Sequence, residues 1–252
     1  MSAAGYRDRM PRDQDSGLSD YAIFEGSWTI SGLPSTLTVE VRLRTARRFL
    51  REMETMVAKQ TQFPGDVAGL AYDPFAPSAA EEIRRWEEAT AELPLLAWAT
   101  TLGYCFSTLE AFLQEAAQDA ANLRQRSVQR PRRQPVIEAW LEELERLGFV
   151  VRDDARTMND LRALRRIRNA LLHGVALTKA TVPPDLRKCF EASSAVWAAP
   201  GSLIPTSELV RRALATVESV VAAVDYALAI ADQHHFERWE YLYRAWATRA
   251  PE

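Results

Sequence analysis

Apolar residues recur at every third or fourth position through most of this chain, and strict alternation occurs in one place only. From 95 to about 124, Trp98, Leu102, Cys105, Leu109, Leu113, Ala116 and Ala120 keep helical spacing and predict a long apolar helix. Leu43, Ala46, Phe49, Leu50, Met53 and Val57 do the same for a helix over 42–60. Ser78, with Glu81 three residues on, opens a capping pattern for a charged helix that Leu93 and Pro94 are expected to end. A short helix is expected over 136–147, closed by Gly148, and another over 153–173, closed by Gly174. A loop and short helix with Pro183, Pro184, Pro200 and Pro205 lead to a final helix from Thr206 toward Trp246, with a break at Gln233-His234-His235.

The alternation lies near the N-terminus, where 28–34 and 36–41 flank a Gly/Pro turn and predict a small hairpin. The expected fold class is all-α, a helical bundle with a small N-terminal β-hairpin. Its expected organisation is a flexible tail over 1–17, hairpin and helices over 18–93, and a helical bundle over 94–252.

Composition adds a setting. With 252 residues, 47% of them hydrophobic and 26% charged, the chain can bury a sizeable core. Cys105 and Cys189 form neither a disulfide framework nor a metal-ligand spacing, which fits a reducing compartment and makes the cytoplasm the expected location. The charged N-terminus has no apolar core of a secretory signal, and no segment reads as apolar enough to span a bilayer. A formal net charge of −3 argues against a protein that coats nucleic acid through its whole surface, so any RNA contact has to be local.

The local candidate is Arg168-Asn169-Ala170-Leu171-Leu172-His173-Gly174, at the end of an arginine-dense helix. Histidine both gives and takes a proton near neutrality, and arginine is a permanent forked cation suited to phosphate. At 100° per residue, Leu161, Leu164, Ile167 and Leu171 share an apolar side, while Arg162, Arg166, Asn169 and His173 share another. Such a stripe can hold a phosphate and offer a titrating group beside it. Arg168 and His173 lie about 140° apart on an ideal helix. A shared phosphate therefore requires Arg168 to curl around the helix, a distorted last turn, or a second subunit across a two-fold axis.

Arg168-Asn169-x-x-x-His173 at a helix end resembles the Arg-polar-x3-to-5-His signature of the HEPN superfamily. The resemblance covers 95–248 and implies an α-helical, commonly dimeric, metal-independent endoribonuclease of toxin–antitoxin or antiphage systems, with no cofactor. It implies Arg168 and His173 as catalytic residues, Asn169 as their polar support, and Glu110 as an acidic helper from an earlier helix. RNA, a second copy of the chain and an antitoxin or defence-system partner are the implied partners, with no membrane. Where toxins paired with nucleotidyltransferase antitoxins often carry a tyrosine two residues after the histidine, this chain has Val175.

Outside the motif, Arg165 joins Arg162 and Arg166 as an RNA-contacting candidate, and Arg132 and Arg133 in a basic loop are further ones. Each also reads as an ordinary solvated charge, and Glu110 as a structural carboxylate at the edge of an apolar helix. Phe236, Trp239, Tyr243 and Trp246 form an aromatic stripe suited to core packing, base stacking or a dimer surface, and adjacent His234 and His235 carry no assigned chemistry. The rival functional class is a non-catalytic HEPN-like module that binds RNA, nucleotide or protein through the same basic pocket.

Overall fold

In a computed structural model, residues 29–60, 77–129, 136–151, 155–192 and 201–232 are described. They form α1 (Pro34–Gln60), α2 (Pro77–Arg124), α3 (Val136–Arg146), α4 (Ala155–Leu172), a 3-10 turn (Pro184–Cys189), β1 (Phe190–Ala192), β2 (Leu203–Pro205) and α5 (Ser207–Ala231). The protein is mostly helical, as its hydrophobic periods require. The expected continuation past Gln233, with its histidine pair and aromatic stripe, and the basic loop with Arg132 and Arg133 lie outside the described residues.

The N-terminal hairpin is not formed. Residues 36–41, expected as a strand, are helical, because α1 begins at Pro34, whose fixed φ suits the first helical position, and Leu37 N–H donates to Leu33 C=O at 3.1 Å. The β-branched alternation there hides a helical period: Thr36, Val39, Leu43, Ala46 and Leu50 are all buried, at steps of three and four. Phe49, expected on the same face, stands exposed. The protein's sheet lies near the C-terminal end instead, where β1 and β2 pair antiparallel with Phe190 opposite Pro205 and Ala192 opposite Leu203. Strands of three residues are too short to show a period of two.

The expected break at Pro94 is also absent, and α2 runs unbroken for 48 residues with Pro94 inside it. Proline removes one donor to the turn before it. The burial of Ala97, Trp98, Thr101 and Leu102 in the next two turns outweighs that loss. A third expectation fails at α5, which is long and apolar enough by length and composition to cross a bilayer. Sixty-seven per cent of that stretch is buried in the protein, the pattern of a core helix.

The described chain forms two compact units. One takes α1 as far as Arg44, α2 from Ser107, α3, and α5 from Glu218. Its buried side chains include Phe112, Leu113, Ile137, Leu144, Phe149, Val221 and Leu228. Within it the fully buried Asp225 carboxylate receives Ile30 N–H at 2.6 Å, Ser31 N–H at 3.1 Å and the Ser31 hydroxyl at 2.5 Å. Burial pushes Asp225 up to about 6, against the opposing pull of the Ser31 and Ile30 hydrogen bonds. Asp119 accepts the Ser35 N–H at 3.1 Å, so a carboxylate meets one of the open donors of the α1 N-terminus.

After α2, Gln125 takes a left-handed φ of 51°, and Glu143 then ties down the following loop by accepting Gln129 N–H at 2.7 Å. The Arg146 guanidinium, bonded to both Glu143 oxygens at 2.6 and 2.7 Å, holds that carboxyl below the usual carboxylate range despite its burial.

The other unit takes the rest of α1, α2 up to Phe106, α4, the 3-10 turn, the sheet and α5 up to Val217. Trp98, Leu102, Phe106, Leu161, Leu164, Ile167, Leu186, Phe190 and Leu214 are buried there. Arg212 on α5 pairs with the buried Asp160 on α4, which fixes the motif helix against α5. Both cysteines are buried, and burial pushes the Cys189 thiol up.

Candidate functional site

Helix α4 turns Leu161, Leu164 and Ile167 inward, and that choice fixes its other face. Arg162, Arg166, Asn169 and, just past the last turn, His173 are all exposed. The four residues expected to share a side therefore do share the solvent-facing one. Arg166 Nε donates to the Arg162 carbonyl at 3.4 Å, and Arg165 is half-buried rather than fully solvated.

Arg168 departs from this face and is half-buried. Its NH1 donates to Asn169 Oδ1 at 3.0 Å, which ties the guanidinium to a residue of the stripe that carries His173. The guanidinium carbon lies 5.9 Å from the centroid of Phe106, an α2 ring with no exposed surface. Arg168 Nε is buried and has no hydrogen-bond partner. A buried donor left unmet costs about 1–3 kcal/mol, so this side chain is not placed to maximise stability.

The end of α4 is a glycine cap. Gly174 has a φ of 64°, its N–H bonds Leu171 C=O at 3.3 Å, and Val175 N–H bonds Ala170 C=O at 2.8 Å. His173 N–H still reaches Asn169 C=O at 3.0 Å, which sets the histidine directly beyond the amide on the same face. A Cβ at position 174 would meet nothing within 4 Å, so only its backbone conformation demands glycine. Gly174→Ala is expected to lower stability by about 1 kcal/mol in chemical denaturation, through the left-handed φ alone.

Glu110 sits half-buried on α2, one turn past Phe106, and makes no hydrogen bond or ion pair among the described residues. It belongs to the first unit, whereas Arg168, Asn169 and His173 belong to the second. Among the described residues no three His, Cys, Asp or Glu side chains lie together as metal ligands would. Phe106 is the site residue that sequence reasoning missed: on an apolar stripe beside Leu102 and Leu109 it reads as core, and only the tertiary contact reveals the ring under Arg168.

Scans against protein-family models and searches of curated proteins and of solved structures return no match.

Proposed function

We propose that this protein is a metal-independent endoribonuclease of the HEPN type, working in the cytoplasm as a homodimer in toxin–antitoxin or antiphage defence. One observation supports the reading: the Arg168 guanidinium donates to Asn169, a residue of the exposed face on which His173 follows one turn later. A permanent fork-shaped cation and a proton-transferring imidazole on one face are what cleavage of a phosphodiester needs.

In the proposed reaction a ribose 2′-OH attacks the adjacent phosphorus, the P–O5′ bond breaks, and the products are a 2′,3′-cyclic phosphate and a 5′-hydroxyl. The leaving oxygen takes a proton and the attacking hydroxyl loses one, with His173 serving this transfer, while Arg168 faces the charge that grows on the phosphoryl oxygens. Arg162 and Arg166, exposed on the same helix, bind the flanking backbone as cations. Two copies meeting across a two-fold axis would supply the second acid–base group, and DNA is not cut because it lacks the nucleophile.

The test is cleavage of total cellular RNA in EDTA by the full chain and by His173→Ala, with the product ends identified. Cleavage by the wild type to 2′,3′-cyclic ends, reduced at least about 10²-fold by the substitution, is the expected result. Equal cleavage by both proteins overturns it. RNA binding without cleavage by either favours the non-catalytic module.

A further inference from the structure

We propose that Phe106 is a positioning residue for Arg168, and that Phe106 and Asn169 together hold this guanidinium as a receptor for one phosphate-type oxyanion. The inference rests on the nuclease reading only in taking that oxyanion, in use, to be the phosphodiester of RNA.

Several arginines are already answered by a carboxylate, Arg44 by Glu40, Arg146 by Glu143 and Arg212 by Asp160. Arg124 also lies over a ring, that of Phe149, and Arg187 donates to the Lys179 and Val182 carbonyls, but neither stands beside the motif histidine. Arg168 is held by neutral groups instead, an amide oxygen and the face of an aromatic ring. An ion-paired arginine has to break its pair to accept an incoming anion, whereas Arg168 gives up nothing charged.

The geometry also selects which edge of the guanidinium is offered. Asn169 occupies NH1. The edge formed by Nε and NH2 remains, and its two parallel N–H groups match two oxygens of a phosphate. Nε in that edge is buried with no acceptor, so an anion that the guanidinium meets by sliding outward across the ring relieves an existing cost. Phe106 is wholly buried and its ring is therefore held by packing. With the guanidinium carbon over the ring at 5.9 Å, the ring's quadrupole holds the cation while it waits for the anion.

The experiment follows arginine Nε–Hε resonances of the full-length protein labelled with 15N-arginine, with Arg168 assigned by its loss in Arg168→Lys. The Arg168 Hε resonance is expected upfield of arginines that face no ring, through the ring current of Phe106, and inorganic phosphate is expected to move it saturably. Phe106→Leu should remove the upfield shift and weaken phosphate binding about three- to tenfold, and Phe106→Tyr, which keeps the ring face, should retain both. An Arg168 Hε without the upfield shift in the wild type overturns the proposal even if Phe106→Leu fails to fold. So does phosphate affinity unchanged in a folded Phe106→Leu. A phosphate response without RNA cleavage refutes the nuclease and leaves this inference standing; cleavage without the response does the reverse.

Discussion

Arg168→Met is expected to abolish RNA cleavage and to make the protein more stable. The arginine holds a buried, unanswered Nε–H, and methionine removes that donor while keeping an unbranched apolar stem over the Phe106 ring, with a sulfur–aromatic contact in place of the cation. The stability gain should be about 1 kcal/mol, a rise in melting temperature of about 2–4 °C for a chain of this size. Cleavage in EDTA should fall at least about 10²-fold, because no cation then faces the phosphoryl oxygens. Thermal melts and initial rates on the same preparation decide the matter. A variant that loses both activity and stability would assign Arg168 to the fold instead of the chemistry.

The second large effect is expected at Asp225. Removing its carboxylate in Asp225→Ala leaves two backbone N–H groups and the Ser31 hydroxyl without their acceptor in a buried setting. Destabilisation of about 2–4 kcal/mol at pH 7 follows, measurable by urea unfolding. The native residue also makes stability depend on pH. Burial raises its pKa from 3.8 to about 6, so between those values the folded protein holds a proton that the unfolded chain has released. Asp225's contribution is full below about pH 4 and declines as pH rises through about 6, by about 3 kcal/mol in all. The stability difference between wild type and Asp225→Asn is therefore expected to shift against the wild type from pH 4 to pH 7. A difference that stays constant with pH would refute the assignment.

The motif helix was legible in the sequence because three local signals agree there: an apolar stripe at Leu161, Leu164 and Ile167, a polar stripe from Arg162 to His173, and Gly174 at the helix end, where φ is left-handed. Gly148 marked the end of α3 in the same way, with a φ of 93°. The start of α1 misled because Thr36, Thr38, Val39 and Val41 suit a strand by propensity, and only the burial of Thr36, Val39 and Leu43 shows which period tertiary packing selects. At Pro94 a local penalty was weighed correctly and outvoted by packing in the turns that follow. Asp225 carried no local signal at all, since its partners at Ile30 and Ser31 are 195 and 194 positions away.

That same separation reaches into how the chain is made. Ribosomes add about 5–20 residues per second, so Ile30 leaves the ribosome about 10–40 s before Asp225 does. The unit that contains Arg168 needs nothing beyond Val217, but the unit that contains the start of α1 needs residues from Glu218 onward. The first of the described helices is thus among the last to be enclosed. The unit that holds Val39 and Leu43 is complete only once residues from Glu218 onward have emerged, and the span from α1 to α5 is the interval in which a nascent chain of this protein is most open to aggregation.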